Sequence, residues 1–395
     1  AMITGRSAVD SRPAARPSES PSGVVEAPVE VAAEYSSSPG VWTRTSSTNG
    51  GPSTIPDLRF NGAMANPAPQ VAILDDYAGV ALRLADWSPV QTRSRVTVFD
   101  RHLSEEEAAE ALRPFDVICT LRERMALPRT LLERLPNLRL ITIVGRSLPN
   151  LDLAAATERG ILVANTDFAH PRFRSVQDAT PEFAWGLLIA TVRNLAEEHR
   201  RMRDGGWQVT TGLTLSGKTL GLLGLGRVGT RMAGYAKAFG MEVIAWSQNL
   251  TADAAAAVGA RRVDKAALFE EADVVSIHVV LSERTRGLVG EPELALMKPH
   301  AYLINTSRGP IVDEAAMIAA LTARRIAGAG LDVYDIEPLP TAHPLRVLPN
   351  VTLSPHLGYV TREMLGAFYS DTVESVAAWL DGAPIRIANP EASRG

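Results

Sequence analysis

Between Val71 and Leu353 the apolar residues come in short unbroken runs rather than in strict alternation. The runs are Val71–Leu74, Val96–Phe99, Val117–Leu121, Leu140–Val144 and Ile161–Ala164, then Thr219–Leu223, Glu242–Trp246, Asp273–Ile277, Ala301–Ile304, Ala327–Leu331 and Val351–Leu353. Runs of this length, rich in β-branched residues, read as strands covered on both faces. Stretches at helical spacing separate them. Ser104-Glu-Glu-Glu107 is a capping box that opens a helix through Leu112. Further helices are predicted near Arg129 to Arg134, from Leu153 to Glu158 and from Val228 to Phe239. A longer one starts at Thr180-Pro181, a cap followed by a first-turn proline, and runs toward Arg203 before Gly205-Gly206. The last runs from Arg362 to Leu380, with Leu365, Phe368, Tyr369, Val373, Val376 and Leu380 at helical spacing. Strand and helix in alternation specify an α/β fold built on parallel sheets. No internal repeat is evident.

The first 68 residues break this rhythm. They are dense in Ser, Pro, Ala and Gly, and bury too little apolar surface to offset the entropy of ordering. The segment is expected to stay disordered or to be vector-derived. Ala1-Met2 resembles a cloning remnant, and Met64 is the expected natural start. Asp10, Glu19, Glu26, Glu30 and Glu34 argue against a transit peptide. The whole chain of 395 residues is 46% apolar with a net charge of −4, which leaves neither a nucleic-acid nor a membrane footprint. Its one cysteine, Cys119, excludes an intrachain disulfide, fits a reducing cytoplasmic setting and sits in an apolar strand-like run as a packed thiol.

Gly224-Leu-Gly-Arg-Val-Gly229 follows one strand, opens a helix and precedes a second strand. In that context it is a dinucleotide turn: Gly224 permits the tight bend, Gly226 lets the pyrophosphate approach, and Gly229 lets helix pack on strand. The helix N-terminus offers free N–H groups to the phosphates. The second strand ends Ala245-Trp-Ser-Gln-Asn249, so Ser247 stands where an acidic residue would select NAD by its ribose hydroxyl. No cation for the 2′-phosphate of NADP is evident: Arg261 and Arg262 lie past a helix, and Arg227 is indirect. NAD and NADP both stay open, with the lean toward NAD.

Three later segments each place one titratable or charged residue at a strand end: Asn305-Thr-Ser-Arg-Gly-Pro-Ile-Val-Asp-Glu314, Leu331-Asp-Val-Tyr-Asp-Ile-Glu-Pro338 and Ser354-Pro-His-Leu-Gly358. Ligands of open α/β sheets bind at such ends. Arg308 can hold a carboxylate in a planar fork. His356 can pass a proton to or from a carbonyl oxygen, and Glu337 can orient that histidine and favour its charged form. Together these groups suit a 2-hydroxy or 2-keto acid, and no metal is called for.

With these four motifs in this order, the chain resembles the D-isomer-specific 2-hydroxyacid dehydrogenases over about residues 70 to 388. The resemblance implies a Rossmann NAD(P)-binding domain, 168–358, inserted into a flavodoxin-like substrate domain, 69–167 with 359–390. It implies Arg308, Glu337 and His356 as catalytic residues and a homodimer formed through the cofactor domain. His278 would lie beside the cofactor without proton chemistry, although the proline common two residues later is here Val280. Asp332 would contact the nicotinamide amide, and Arg227, Val228, Val279, Thr306, Ser307 and Gly358 would line the dinucleotide. Substrate contacts would come from Gly145, Arg146 and Ser147, with Arg146-Ser147-Leu148 replacing a usual small, glycine-rich centre, and from Arg122 at another strand end. Arg146 either adds a second cation or points to solvent. Residues 166–178, with His170, Arg172 and Arg174, exceed the family's hinge and form either a specificity loop or a dimer contact. The expected activity is hydride transfer between NAD(P) and C2 of a D-2-hydroxy acid or its 2-keto partner. A dinucleotide-sensing corepressor of the C-terminal-binding-protein type keeps the same three residues and is the alternative. The formate dehydrogenase branch does not fit, because it lacks a Glu at the Glu337 position.

Overall fold

The computed structural model describes residues 68–145, 149–174 and 176–394. The expected N-terminal extension through residue 67, with Met64, lies outside them, as do Arg146, Ser147 and Leu148. Strands β1 (Gln70–Ile73), β2 (Arg95–Val98), β3 (Val117–Cys119), β4 (Leu140–Thr142) and β5 (Leu162–Ala164) form a first sheet in the order β2-β1-β3-β4-β5. Strands β6 (Thr219–Leu223), β7 (Glu242–Trp246), β8 (Arg261–Arg262), β9 (Val274–Ile277), β10 (Tyr302–Asn305), β11 (Gly328–Leu331) and β12 (Val351–Leu353) form a second, ordered β12-β11-β10-β9-β6-β7-β8. Every pairing in both sheets is parallel. The fold is α/β with two doubly wound parallel sheets.

The unbroken apolar runs have their reason in the packing. Val71, Ile73, Val117, Cys119 and Leu140 face one core, while Ala72, Ile118 and Ile141, one residue out of step, face another across the same sheet. In the second sheet Leu223, Val275 and Leu303 face one side, and Leu222, Val274 and Ile304 the other. A strand buried on both faces has no solvent-facing row for polar residues, and the few it holds, such as Thr142 and Ser276, are buried. The final helix, Arg362–Leu380, is capped by the Thr361 hydroxyl, which accepts from the Met364 N–H at 3.1 Å. It packs against β4 and the short helices Ala81–Leu84 and Ser88–Gln91, so the chain returns to the first sheet. The Ser104 capping box is present as read, with the Ser104 N–H donating to Glu107 at 2.8 Å.

Two expectations need correction. The single helix expected from Thr180 to Arg203 is two helices, Ala179–Val192 and Leu195–Arg203, broken at Asn194, whose φ is +53°. The first buries eight of its residues; the second buries none, so the chain must turn out of the core between them. Nor is Thr180 the cap: Asp178 holds that position and gives its carboxylate to Arg231 at 2.9 Å instead. Strand β8 escaped the sequence reading because its two exposed arginines carry no apolar pattern.

Each sheet reverses its winding once, at β1/β3 and at β6/β9. Crevices at the carboxyl ends of the strands open at such points. Asp75 and Arg122 follow the first pair, and Gly224 and His278 follow the second.

Candidate active site

The turn after β6 is built for close approach. Gly224 has φ +106°, and a Cβ there would lie 2.8 Å from the His278 carbonyl of the neighbouring strand. A Cβ on Gly229 would come within 2.2 Å of the Gly224 carbonyl oxygen. Both positions therefore exclude any side chain. Gly226, by contrast, has nothing within 4 Å and opens the helix Arg227–Ala238. A cavity of about 470 Å³ runs from this turn past Trp246, Ser247, Gln248 and Asn249 to His278, Val279 and Arg284. Bare backbone beneath open space, at a helix N-terminus, fits a dinucleotide pyrophosphate, and the elongated cavity fits the nucleoside beyond it. Val228 turns its side chain into the core behind the sheet, which leaves its backbone N–H for the ligand. Ser307 likewise donates its hydroxyl to the Val279 carbonyl and lines neither cavity described for this site.

A second cavity, of about 180 Å³, adjoins the first; Arg227 and Thr306 are in its wall together with Arg122, Arg308, Asp332, His356 and Gly358. His356 sits in a left-handed turn, φ +55°, directly after β12. Its Nδ1 lies 2.6 Å from Glu337 Oε2, and because an ionised carboxylate only accepts, Nδ1 is the donor. The Tyr334 N–H donates to the other oxygen of Glu337 at 3.0 Å, which fixes the carboxylate. Asp332, fully buried, holds the turn that carries His356: it accepts from Ser354 Oγ at 2.6 Å, Leu357 N–H at 2.7 Å and Gly358 N–H at 2.9 Å. Burial raises its carboxyl above the usual range, against the pull of these donors. Its position in the cavity wall is compatible with contact to a nicotinamide amide, but its hydrogen bonds in this structure are those of a loop staple.

Arg308 follows β10 and reaches the opposite sheet. Its Nη2 donates to Glu123 Oε1 at 2.8 Å and its Nη1 to the Ser307 carbonyl at 2.6 Å. Glu123 was not singled out from sequence. Only its neighbour Arg122 stood out, and no local pattern marks a partner 185 residues distant from Arg308. Arg122 Nε lies 3.5 Å from the same carboxylate. Burial alone would raise the Glu123 carboxyl; the two guanidiniums outweigh it and hold the group below its usual range. Arg122 also donates to the Val144 carbonyl at 3.4 Å, beside Gly145, whose own carbonyl accepts from Thr166 N–H at 3.1 Å.

His278, unlike His356, has no carboxylate partner among the described residues. It is hydrogen-bonded through Nε2 to Ser276 Oγ at 2.9 Å, and burial pushes its pKa down to about 3. Arg261 pairs with Glu271, and Arg262 donates to the Leu250 carbonyl, so neither reaches the dinucleotide cavity. Arg284, which the sequence reading passed over, does line it and has no ion-pair partner among the described residues. Cys119 is buried and its thiol pushed up to about 12, a packed group as expected. No cluster of metal-ligating side chains occurs among the described residues, and no helix there is long and apolar enough to cross a membrane.

Comparison with known proteins agrees with this geometry. Residues 185–358 match the family model described as D-isomer specific 2-hydroxyacid dehydrogenase, NAD binding domain. A glyoxylate reductase of Thermococcus litoralis is 41% identical over 263 residues, 64% of this chain and 77% of that protein. A D-3-phosphoglycerate dehydrogenase of Methanocaldococcus jannaschii is 35% identical over 71% of this chain and 52% of its own length. Among solved structures, a putative D-3-phosphoglycerate dehydrogenase oxidoreductase from Ralstonia solanacearum matches with a TM-score of 0.76 at 32% identity, covering 82% of this chain and 98% of the other. These relatives are named as reductases and dehydrogenases, so the corepressor alternative gains no support from them. A dinucleotide turn, a histidine–carboxylate pair and a half-buried arginine lining neighbouring cavities, with these likenesses, place the chain in the D-isomer-specific 2-hydroxyacid dehydrogenase family of NAD(P)-dependent oxidoreductases.

Proposed function

We propose that this protein interconverts a 2-keto acid and its D-2-hydroxy acid, with Arg308, His356 and Glu337 as the catalytic residues. The observation that carries the reading is the 2.6 Å Glu337–His356 pair set in the same cavity wall as Arg308, next to the dinucleotide turn. A dinucleotide whose pyrophosphate would rest on the Gly224–Gly229 turn would supply or accept the hydride at substrate C2. Arg308 receives the substrate carboxylate and draws electron density from the adjacent carbonyl. Because Glu337 occupies Nδ1, the exchangeable proton of His356 is carried on Nε2, which has no partner among the described residues. In reduction Nε2 delivers that proton to the carbonyl oxygen; in oxidation it takes the proton from the hydroxyl. Glu337 keeps the ring in the one tautomer that can do this and stabilises the imidazolium.

The protein works as a homodimer in the reducing cytoplasm, where its single buried thiol needs no protection. Cofactor choice is open to NADP as well as NAD. The lean toward NAD rested on the want of a cation near the adenosine ribose, and Arg284 removes that ground.

Replacing His356 by Gln tests the mechanism. It should lower kcat with the preferred keto acid by about 10²- to 10⁴-fold while dinucleotide affinity, read by fluorescence titration, is retained. A kcat within about twofold of wild type would remove His356 from proton transfer.

A further inference from the structure

The substrate cavity has an aromatic wall that extends directly from the catalytic histidine. The Tyr359 ring meets His356 edge-on at 5.5 Å, Phe368 lies 6.3 Å from Tyr359, and Phe168 lies 6.1 Å from Phe368. Met364 completes the wall. Phe168 belongs to residues 166–178, the segment longer than the family's hinge, and it is held rigidly. Phe173, fully buried, backs it at 5.1 Å and packs on Phe368 at 5.7 Å. Arg172 ties the segment to Glu374 on the final helix, and Thr166 ties its start to the Ile143 and Gly145 carbonyls. The segment thus presents an apolar ring to the cavity from a fixed position.

The charges in the same cavity give the substrate carboxylate its place. Arg122 and Arg308 share one half-buried carboxylate, Glu123, and Arg227, also in the wall, has no ion-pair partner among the described residues. His356 is matched by Glu337. The cavity, lined by both charged and apolar side chains, measures about 180 Å³; roughly 150 Å³ is enough for a benzene-sized group.

We propose that the preferred substrates are 2-keto acids with a branched or aromatic hydrocarbon side chain, held against Phe168, Met364 and Phe368. This rests on the dehydrogenase reading above and sets the chain apart from the substrates in its relatives' names. Phe168 is the specificity-determining residue. A phosphorylated or unsubstituted acid leaves the aromatic wall unpaired.

The test compares kcat/KM for 4-methyl-2-oxopentanoate, phenylpyruvate, glyoxylate and 3-phosphohydroxypyruvate, with NADH and with NADPH. Binding of each acid to the protein is measured alongside by isothermal titration calorimetry. At least one of the two apolar acids should exceed both others by roughly tenfold or more in kcat/KM and in affinity. Phe168→Ala should collapse that ratio by about tenfold, and Phe168→Leu should restore most of it. A preference for glyoxylate or 3-phosphohydroxypyruvate, or a ratio unmoved by Phe168→Ala, overturns the proposal. If none of the acids is reduced, the dehydrogenase reading itself fails. The binding order then still decides this inference, since equal or reversed affinities overturn it without any turnover.

Discussion

Two histidines follow strands of the second sheet, and their surroundings suit them to opposite uses. His356 has a carboxylate on Nδ1 and, among the described residues, no partner on Nε2; His278 has a serine hydroxyl and burial. A histidine whose pKa falls from 6.5 to about 3 on folding stays neutral at every working pH. Its folded pKa is depressed, so the unfolded chain binds the extra proton, and stability is lost as pH falls below 6.5 toward 3. Between about pH 7.5 and about pH 5 the unfolded-state protonation of such a group costs about 2 kcal/mol. His278→Asn should therefore lose about 2 kcal/mol less stability than wild type over that interval in urea titrations. Equal losses would mean that His278 is protonated in the folded protein. Arg284 belongs to the same scale. An exposed guanidinium without an ion-pair partner in the dinucleotide cavity suits the 2′-phosphate of NADP. Arg284→Ala should weaken NADPH binding by about tenfold, consistent with loss of one charge-assisted hydrogen bond, and leave NADH within about twofold. Fluorescence titration without keto acid measures both, and parallel changes would place Arg284 away from the 2′-phosphate.

Among the elements, the break at Asn194 shows where local sequence stops being informative. The pattern from Ala179 to Arg203 carries no glycine or proline at the break, and asparagine is merely tolerated in a helix. What ends the first helix is loss of its buried surroundings after Val192, which is a tertiary fact. Asparagine is the commonest non-glycine residue in the left-handed region. Asn194→Gly should thus be neutral or slightly stabilising, and Asn194→Val should cost about 1–2 kcal/mol, both measured by chemical denaturation. Equal stabilities would show that the backbone relaxes at this joint. The elements that were legible are those whose signal is contained in one stretch: the eleven apolar runs, the Ser104 capping box, the Gly224–Gly229 turn and the Arg362–Leu380 helix. That Arg308, Glu337 and His356 stand at strand ends near one another was legible because each follows a buried run within a distinctive motif. Glu123, Arg284 and the aromatic wall were not, since each acquires its meaning from a partner far away in sequence. Residues 166–178 stood out only as extra length, and the ring they deliver to the cavity became visible once Phe168, Phe173 and Phe368 were brought together.

At the scale of the whole molecule, the helix Leu195–Arg203 and the strand-like segment after it form a face without a partner. Leu195 is 58% exposed, Met202 54%, Trp207 70% and Val209 60%, while the helix buries none of its own residues. This is not a loose arm. Glu198 accepts from the Val209 and Thr210 N–H groups at 3.1 and 2.7 Å, and the Gly206 N–H donates to the Arg201 carbonyl at 2.8 Å. A rigid apolar face of this kind in a water-exposed position marks an interaction surface. The proposed homodimer is expected to form on it, since a two-fold pairing can cover the face with itself. The face lies within residues 185–358, which match the NAD-binding family model, and away in sequence from Arg308, Glu337 and His356. Trp207→Asp puts a charge at the centre of that contact. Wild type should sediment at twice the chain mass at micromolar concentration, and the variant at the monomer mass, with dinucleotide affinity retained. A monomeric wild type, or a variant that keeps the dimer mass, would show that this face is not the one on which two copies meet.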